Sequence, residues 1–322
     1  ALWPHFLYKG FGRRTMPVAQ TMPVMITQVV AMFLMMVIGA VLYRGQLVDN
    51  AGSKQLSNVA LYVATPAVIL QSLATTFDAA KMVAGAACMA LSFIFTLVSA
   101  GVARLYFRDR QRAAQLGITI SNMGFMGIPL VQSVLGEEYV FYISACMAGQ
   151  VPLIWSYGIW LISQDTSKIS LKKIATNPSI VAVVVGIVLF CCSIDLTGVI
   201  KVTAQDMGNL NTGLAMLVMG IYLAQTDLRS LVRDRNLYAA CALRLLAVPA
   251  IVIAVMVLLP LDPIVKLVVV IALSTPCGTV SAMFPQMFGG DYRFGAGLVS
   301  VSTLLSLVLM PLVLAASLVL FV

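Results

Sequence analysis

The sequence predicts an all-α membrane protein with about ten transmembrane helices, arranged as two inverted five-helix repeats. Of its 322 residues, 61% are hydrophobic and only 10% are charged, whereas a soluble domain carries about 25% charged residues. A chain this apolar cannot cover a surface that faces water, so its main solvent must be lipid. Two further observations support the prediction: apolar runs alternate regularly with short polar gaps, and two of the runs carry matching interruptions.

The apolar runs set the number of predicted crossings. A helix needs about 20 apolar residues to cross the hydrocarbon core of a bilayer, and no gap between the runs is long enough for a soluble catalytic domain. The runs, numbered here as spans one to ten, lie near residues 22–43, 55–76, 80–106, 113–134, 138–162, 178–195, 205–226, 236–259, 263–288 and 294–321.

The longest gap, residues 163–177, divides the chain into a first five-helix repeat over residues 22–162 and a second over residues 178–322. Because five spans is an odd number, the second repeat must be inverted relative to the first. Residues 1–21 form a basic N-terminal tail, which we interpret as a candidate for a non-native extension because methionines at 16 and 22 could each start the chain.

The distribution of basic residues predicts the orientation. One set of alternate gaps holds most of the arginines and lysines, including Arg104, Arg108 and Arg112, and such gaps face the cytoplasm. Residues 163–177 are then a cytoplasmic linker and both termini lie outside the cytoplasm, although the basic tail by itself argues the other way. We expect a multi-pass protein of the cell (inner) membrane, in contact with the lipid bilayer and with no nucleic acid partner.

The chemistry of cofactor and metal sites is missing from the sequence. The six cysteines lie in apolar stretches without a Cys-x-x-Cys pair, and the single histidine, His5, lies in the tail. The spans contain no paired aspartates, no Ser–His arrangement and no zinc motif, and the chain has no phosphate-binding loop of the ATPases. We therefore expect no enzyme, no catalytic residue, no cofactor and no metal.

Spans four and nine are interrupted by helix-breaking residues. Proline removes a backbone donor and clashes with the preceding turn, and glycine tolerates the unusual dihedral angles that follow. These residues predict that span four unwinds at about 124–129 and span nine near 275–278. The residues concerned are Ser121, Asn122, Gly124, Gly127 and Pro129 in span four, and Ser274, Thr275, Pro276 and Gly278 in span nine.

Both interruptions are expected at a similar depth, near the bilayer midplane, where the two spans could cross. Each would present a half-helix N-terminus with partial positive charge and free N–H donors, and discontinuous helices of this kind form the substrate sites of many secondary transporters. A single break is more often an ordinary proline kink. Two breaks at corresponding places in two halves favour a binding site for an anion.

Four further polar residues within spans are candidates for a role in a site. Arg244 is near the predicted cytoplasmic end of span eight, and we expect its side chain to reach the interface rather than to meet an anion. Asn58, Asn209 and Asn211 lie on spans two and seven. They either line a cavity or join helices by hydrogen bonds, and the sequence does not decide between the two.

The interruptions resemble the auxin efflux carrier family, which includes plant PIN proteins and bacterial organic-acid carriers. The most specific feature is the span-four string of Asn122 followed by Gly127, Ile128 and Pro129. Weaker similarities extend over most of the chain from about residue 22 onward. They are Pro276-x-Gly278, Asn177-Pro178, Gln150 with Trp155, and Pro66.

The resemblance implies a scaffold bundle beside a transport bundle, a crossover of spans four and nine at Pro129 and Pro276, and a homodimer. It also implies that Asn122 helps to hold a substrate carboxylate, and we include Gln150 among the candidate substrate-binding residues. The expected function is a secondary transporter of small organic anions such as mono- or dicarboxylates.

A sodium-coupled organic-anion symporter and a cation/proton antiporter of the related crossover fold are the alternatives. A proton–cation antiporter would need an ionisable carboxylate at the crossover. None lies between Gln115 and Glu137 or between Lys266 and Asp291. The same observation argues less strongly against sodium, because carbonyl and hydroxyl oxygens can bind that ion.

Overall fold

The computed structural model describes residues 18–108, 110–170, 172, 175–225 and 234–321, with backbone alone for residues 18–26 and 29. The predicted tail therefore lies mostly outside the described residues. Within these ranges the regular structure is helical, apart from one isolated β-bridge. The helices are α1 Val18–Arg44, α2 Asn50–Leu73, α3 Ala79–Phe107, α4 Arg112–Thr119, α5 Ile128–Val134, α6 Glu137–Ser163, α7 Pro178–Cys191, α8 Gly198–Gln225, α9 Arg235–Leu258, α10 Pro263–Ser274, α11 Val280–Phe288 and α12 Tyr292–Phe321.

Within the described ranges, six of these helices are long and apolar enough to cross a membrane, namely α2, α3, α6, α8, α9 and α12. Shorter apolar helices lie at Val30–Arg44, Met123–Val134, Pro178–Cys191 and Pro263–Ser274. The prediction of an all-α membrane protein is thus confirmed. Ten crossings and two inverted repeats stay predictions.

Side-chain caps fix where several helices begin. The side chain of Asn177 accepts hydrogen bonds from the backbone N–H groups of Ser179 and Ile180, and Pro178 occupies the first helical position. Asp262 caps α10 in the same way, with Pro263 following it. Proline is tolerated there because the first N–H groups of a helix have no intrahelical acceptor. The Asn177-Pro178 pair is therefore a helix-start signal.

Three of the prolines inside the helices are preceded by π turns. The turns Ala60–Ala64, Met123–Gly127 and Leu243–Ala247 each end two residues before a proline, at Pro66, Pro129 and Pro249 respectively. A π turn shifts the backbone hydrogen bonds from i→i+4 to i→i+5. The shift absorbs the missing N–H and the ring of proline, so the helices continue through these positions.

The helices pack as two groups. In the first group, α1 packs along α8, and α2 packs against both α7 and α8. In the second, α3 packs along α6, and α12 packs against α10 and α11. Each predicted repeat therefore contributes its first two spans to the first group and its remaining spans to the second.

Glycines allow α1 and α8 to approach closely. A Cβ atom at Gly39 would overlap the backbone of Leu217, and one at Gly220 would overlap the backbone of Met36. Small residues at such contacts increase van der Waals packing, which is a main source of helix association in lipid.

Replacing Gly220 with alanine should lower the thermal unfolding midpoint of the purified protein, because overpacking a tight contact costs about 1–3 kcal/mol. Gly213→Ala is the matched control on α8, since a Cβ atom at Gly213 meets nothing within 4 Å. That variant should be neutral or more stable, as alanine is favoured over glycine in a helix by about 0.5–1 kcal/mol. Equal midpoints for the two variants would contradict the described packing.

Candidate functional site

The first break separates α4 from the helical segment that leads into α5. Helix α4 ends at Thr119, Ile120 is extended, and helical structure resumes with the π turn at Met123. The predicted position, 124–129, was therefore wrong by several residues. Pro129 does not unwind the chain because the π turn absorbs it. The non-helical backbone lies instead at residues 120–122, where it pairs with the second break.

The second break lies where the sequence predicts it. Helix α10 ends at Ser274, Thr275 is extended with ψ of 153°, and α11 begins at Val280. Pro276 and Gly278 both lie in this non-helical stretch, which includes the predicted residues 275–278.

The two breaks cross and pair as a short antiparallel β-bridge between Ser121 and Cys277. The N–H of Asn122 donates to the carbonyl of Pro276 at 3.0 Å, and the N–H of Gly278 donates to the carbonyl of Ile120 at 2.8 Å. A side chain at Gly278 would crowd this pairing, because its Cβ would lie 3.0 Å from Cγ2 of Ile120. Each break thus satisfies part of the backbone that the other leaves unpaired.

Side chains from two further helices pair the peptide groups on the outer sides of the bridge. With its amide nitrogen turned toward the carbonyl of Ser121, Gln150 of α6 donates to that oxygen at 3.1 Å and accepts from the Ser121 N–H at 3.1 Å. This orientation is the one that satisfies both amide atoms. On the other side, the N–H of Cys277 donates to Oγ of Ser302, on α12, at 3.2 Å.

Arg244 is completely buried at the crossover, with 0% of its surface exposed. Its guanidinium donates to the carbonyls of Ile118 at 3.1 Å, Leu273 at 2.9 Å and Thr275 at 2.9 Å. These carbonyls belong to the C-terminal ends of α4 and α10, which carry partial negative charge. The expectation that Arg244 reaches the membrane interface was wrong, because three unpaired carbonyls lie closer than the interface.

The helical segments that follow the two breaks differ in how many N–H groups at their N-terminal ends lack an acceptor. In α11, the N–H of Ser281 donates to the carbonyl of Gly278 at 3.0 Å, and the N–H of Ala282 to that of Thr279 at 3.1 Å. Beyond the first break, Met126 and Gly127 share the carbonyl of Asn122. The N–H groups of residues 123–125 precede any intrahelical acceptor, so this end offers the larger set of donors.

Asn122 faces the first group of helices. Its Nδ2 lies 3.9 Å from the sulfur of Met219 on α8, and its side chain is 6% exposed. Two turns earlier on α8, Asn211 accepts from Thr65 Oγ1 at 2.8 Å and donates to the carbonyl of Gly124 at 3.4 Å. Asn211 therefore joins helices, whereas Asn58 and Asn209 are exposed.

The remaining predicted residues lie around the crossover. Gly127 packs between Ile143 and Thr275, where a Cβ atom would lie 2.8 Å from Cδ1 of Ile143. The hydroxyl of Ser274 is buried without a hydrogen-bond partner, whereas Thr275 Oγ1 donates to the carbonyl of Ala272 at 3.0 Å. Sequence reasoning missed Ser302 entirely. Arg244 had one signal, which is its position in an otherwise apolar run.

A cavity of about 200 Å³ lies between the two groups of helices and is lined mostly by residues of α2, α5, α6 and α8. One of its walls is formed by Gly208 and Asn209 of α8, about one helical turn from Asn211. Its full lining is Val68, Gln71, Ser72, Thr75, Lys81, Gln132, Glu137, Glu138, Val140, Phe141, Gly208 and Asn209. The described lining carries two carboxylates, Glu137 and Glu138, and one cation, Lys81, and its α8 wall adjoins Asn211, which donates to the carbonyl of Gly124.

A family model described as membrane transport protein matches residues 24–170 and 164–314, which is most of the chain. The chain belongs to this family. It is the family of the auxin efflux carriers and PIN-like proteins, so the resemblance drawn from the crossover residues is confirmed. Members of the membrane transport protein family are transporters rather than enzymes. A comparison with curated proteins finds no match.

Arg244→Met should lower the thermal unfolding midpoint strongly, because a buried acceptor that loses its donor costs about 1–3 kcal/mol and three carbonyls lose theirs. Arg244→Lys should recover part of the loss, since an ammonium group can reach fewer of the carbonyls. Arg235→Met is the control, as Arg235 is exposed at the start of the same helix. A midpoint for Arg244→Met close to that of the control would contradict the described role.

Proposed function

We propose that the protein is a secondary transporter that moves small organic anions, such as mono- or dicarboxylates, across the cell membrane by alternating access. The proposal rests on one observation. At the crossover the carbonyl ends of α4 and α10 are covered by Arg244, while the amide end beyond Asn122 is left with donors. A carboxylate needs hydrogen-bond donors and positive potential, and this end offers both.

The electrostatic balance of the crossover supports an anionic substrate. Each half-helix end carries roughly half an elementary charge, negative at the carbonyl end and positive at the amide end. The partial charges of the two carbonyl ends and the two amide ends would cancel. The guanidinium of Arg244, which is hydrogen-bonded at the crossover, adds a full positive charge. Between Gln115 and Glu137, and between Lys266 and Asp291, the sequence has no carboxylate to offset it.

Alternating access would take place between the two groups of helices. The proposed site, centred on Asn122, lies where the second group meets α8 of the first. In this proposal α1, α2, α7 and α8 form a scaffold that pairs in a homodimer, and the remaining helices move. The breaks would lie near the bilayer midplane, with both termini outside the cytoplasm.

Sodium-coupled symport is the second candidate. Carbonyl oxygens of unwound segments and C-terminal helix ends are the usual ligands of a coupling sodium ion. Here three such oxygens, those of Ile118, Leu273 and Thr275, already accept from Arg244. This occupancy favours transport without sodium, and it disfavours cation/proton antiport for the same reason.

Asn122→Ala should raise the KM for uptake of a labelled dicarboxylate such as malonate into proteoliposomes by about tenfold or more, since a hydrogen bond to a charged group contributes about 1.5–3 kcal/mol. Folding should be retained, because the hydrogen bonds of residue 122 to Pro276, Met126 and Gly127 are made by its backbone. Asn58→Ala, at an exposed position of α2, is the control. A KM equal to that of the wild type, in a carrier with saturable and trans-stimulated uptake, would refute the site.

Replacing sodium with choline should leave wild-type uptake unchanged, whereas an imposed membrane potential should change it. Moving one charge across 100 mV is worth about 2.3 kcal/mol, or roughly fiftyfold in the equilibrium distribution of a monoanion. The measurement is the accumulation ratio in liposomes with a potassium diffusion potential set by valinomycin. Uptake that stops without sodium would favour the symporter instead.

A further inference from the structure

A second cavity, away from the crossover, is surrounded by arginines. It has a volume of about 70 Å³ and lies between the end of α3, the start of α4 and the end of α6. Its described lining consists of Arg104, Arg108, Arg112, Gln115, Trp160, Leu161 and Gln164. Three of these side chains are guanidinium groups and none is a carboxylate, while Asp109 of the same turn lies outside the described residues. Charge distribution predicts that this side of the protein is cytoplasmic.

The turn that brings the arginines together is held by a buried side chain. Gln115, which is 2% exposed, donates through Nε2 to the carbonyl of Arg108 at 2.6 Å and to that of Arg110 at 2.9 Å. Within the turn, Arg108 and Gln111 have φ of 51° and 53°. Left-handed conformations at non-glycine residues are strained, and they cluster at functional sites. The turn brings Arg104 and Arg112, on either side of it, to one cavity, where both side chains are exposed.

The end of α6 forms the opposite wall of this cavity. Gln164 ends α6 with φ of 55°, and its Nε2 donates to the carbonyl of Leu161 at 2.9 Å and to that of Trp160 at 3.2 Å. Trp160 is half-buried beside it. Tryptophan is enriched at the level of lipid headgroups, where its ring is apolar and its N–H meets polar atoms. The cavity therefore combines cationic and interfacial groups.

We propose that this cavity is a binding site for a phosphate group, and that the headgroup of an anionic phospholipid supplies it. The planar guanidinium fork matches the geometry of phosphate oxygens, and basic pockets between transmembrane helices on the cytoplasmic side are a known form of lipid headgroup site. Helix α4 starts here without a side-chain cap, so its first N–H groups add donors for the same oxygens. The site and the crossover lie at opposite ends of α4.

The test measures binding of three probes to the purified full-length protein: a short-chain phosphatidylglycerol, a short-chain phosphatidylcholine and inorganic phosphate. The readouts are thermal shift and retention in native mass spectrometry. Arg112→Gln should weaken the binding of phosphatidylglycerol by about 10- to 100-fold, because that is the loss of affinity expected when a hydrogen bond between charged groups is removed. Arg110→Gln removes a charge from the same turn without touching the cavity lining, and should cost at most about fivefold through general surface attraction.

The pattern of outcomes separates the sources of the phosphate. Binding of phosphatidylglycerol that depends on Arg112 and exceeds binding of inorganic phosphate supports a lipid headgroup. Equally strong, Arg112-dependent binding of inorganic phosphate supports a phosphate site filled by a soluble ligand. Equal losses in the Arg112 and Arg110 variants, equal binding of the two lipids, or no binding of any probe would overturn the proposal. Each of these results is independent of transport.

Discussion

The structure depends on one constraint: peptide groups that leave a helix inside an apolar interior must find new partners. An unpaired polar group costs several kcal/mol in hydrocarbon. At the crossover the two breaks pair with each other through Asn122 and Gly278. Several further groups are paired by Gln150, Arg244 and Ser302, which come from α6, α9 and α12. The requirement for these partners fixes how three helices surround the two broken ones.

The pairing is unequal, and this inequality gives the crossover its chemical character. The carbonyl ends of α4 and α10 meet a permanent cation in Arg244, which keeps its charge in proteins. Around the amide end beyond Asn122, spans four and nine themselves have no carboxylate near their breaks. A crossover built from two opposed helix dipoles would be neutral. With Arg244 in place it has positive character, which is suited to an anionic ligand.

Features that depend on neighbouring residues in the chain could be predicted from the sequence. The apolar runs predicted an all-helical membrane protein, and the prolines and glycines near residue 276 located the second break. The first break was misplaced because the sequence shows Pro129 but not the π turn that accommodates it. Arg244 was misjudged because hydropathy reports how deep a residue lies and not which carbonyls are near it. The link from Thr65 to Asn211 spans 146 residues, and no periodic pattern reveals such a pairing.

The strength of the contacts indicates which parts of the molecule hold together. Hydrogen bonds at the crossover that stay within the second group of helices are short, as those from Arg244 to Leu273 and Thr275 at 2.9 Å show. Those that reach α8 of the first group are long, at 3.4 Å from Asn211 and 3.9 Å to Met219. Long hydrogen bonds are weak, so the hydrogen bonds that link the crossover to α8 contribute less than those that hold the crossover together. The crossover and the helices that pair it are therefore more strongly hydrogen-bonded to one another than to α8, and Asn122 lies at this boundary.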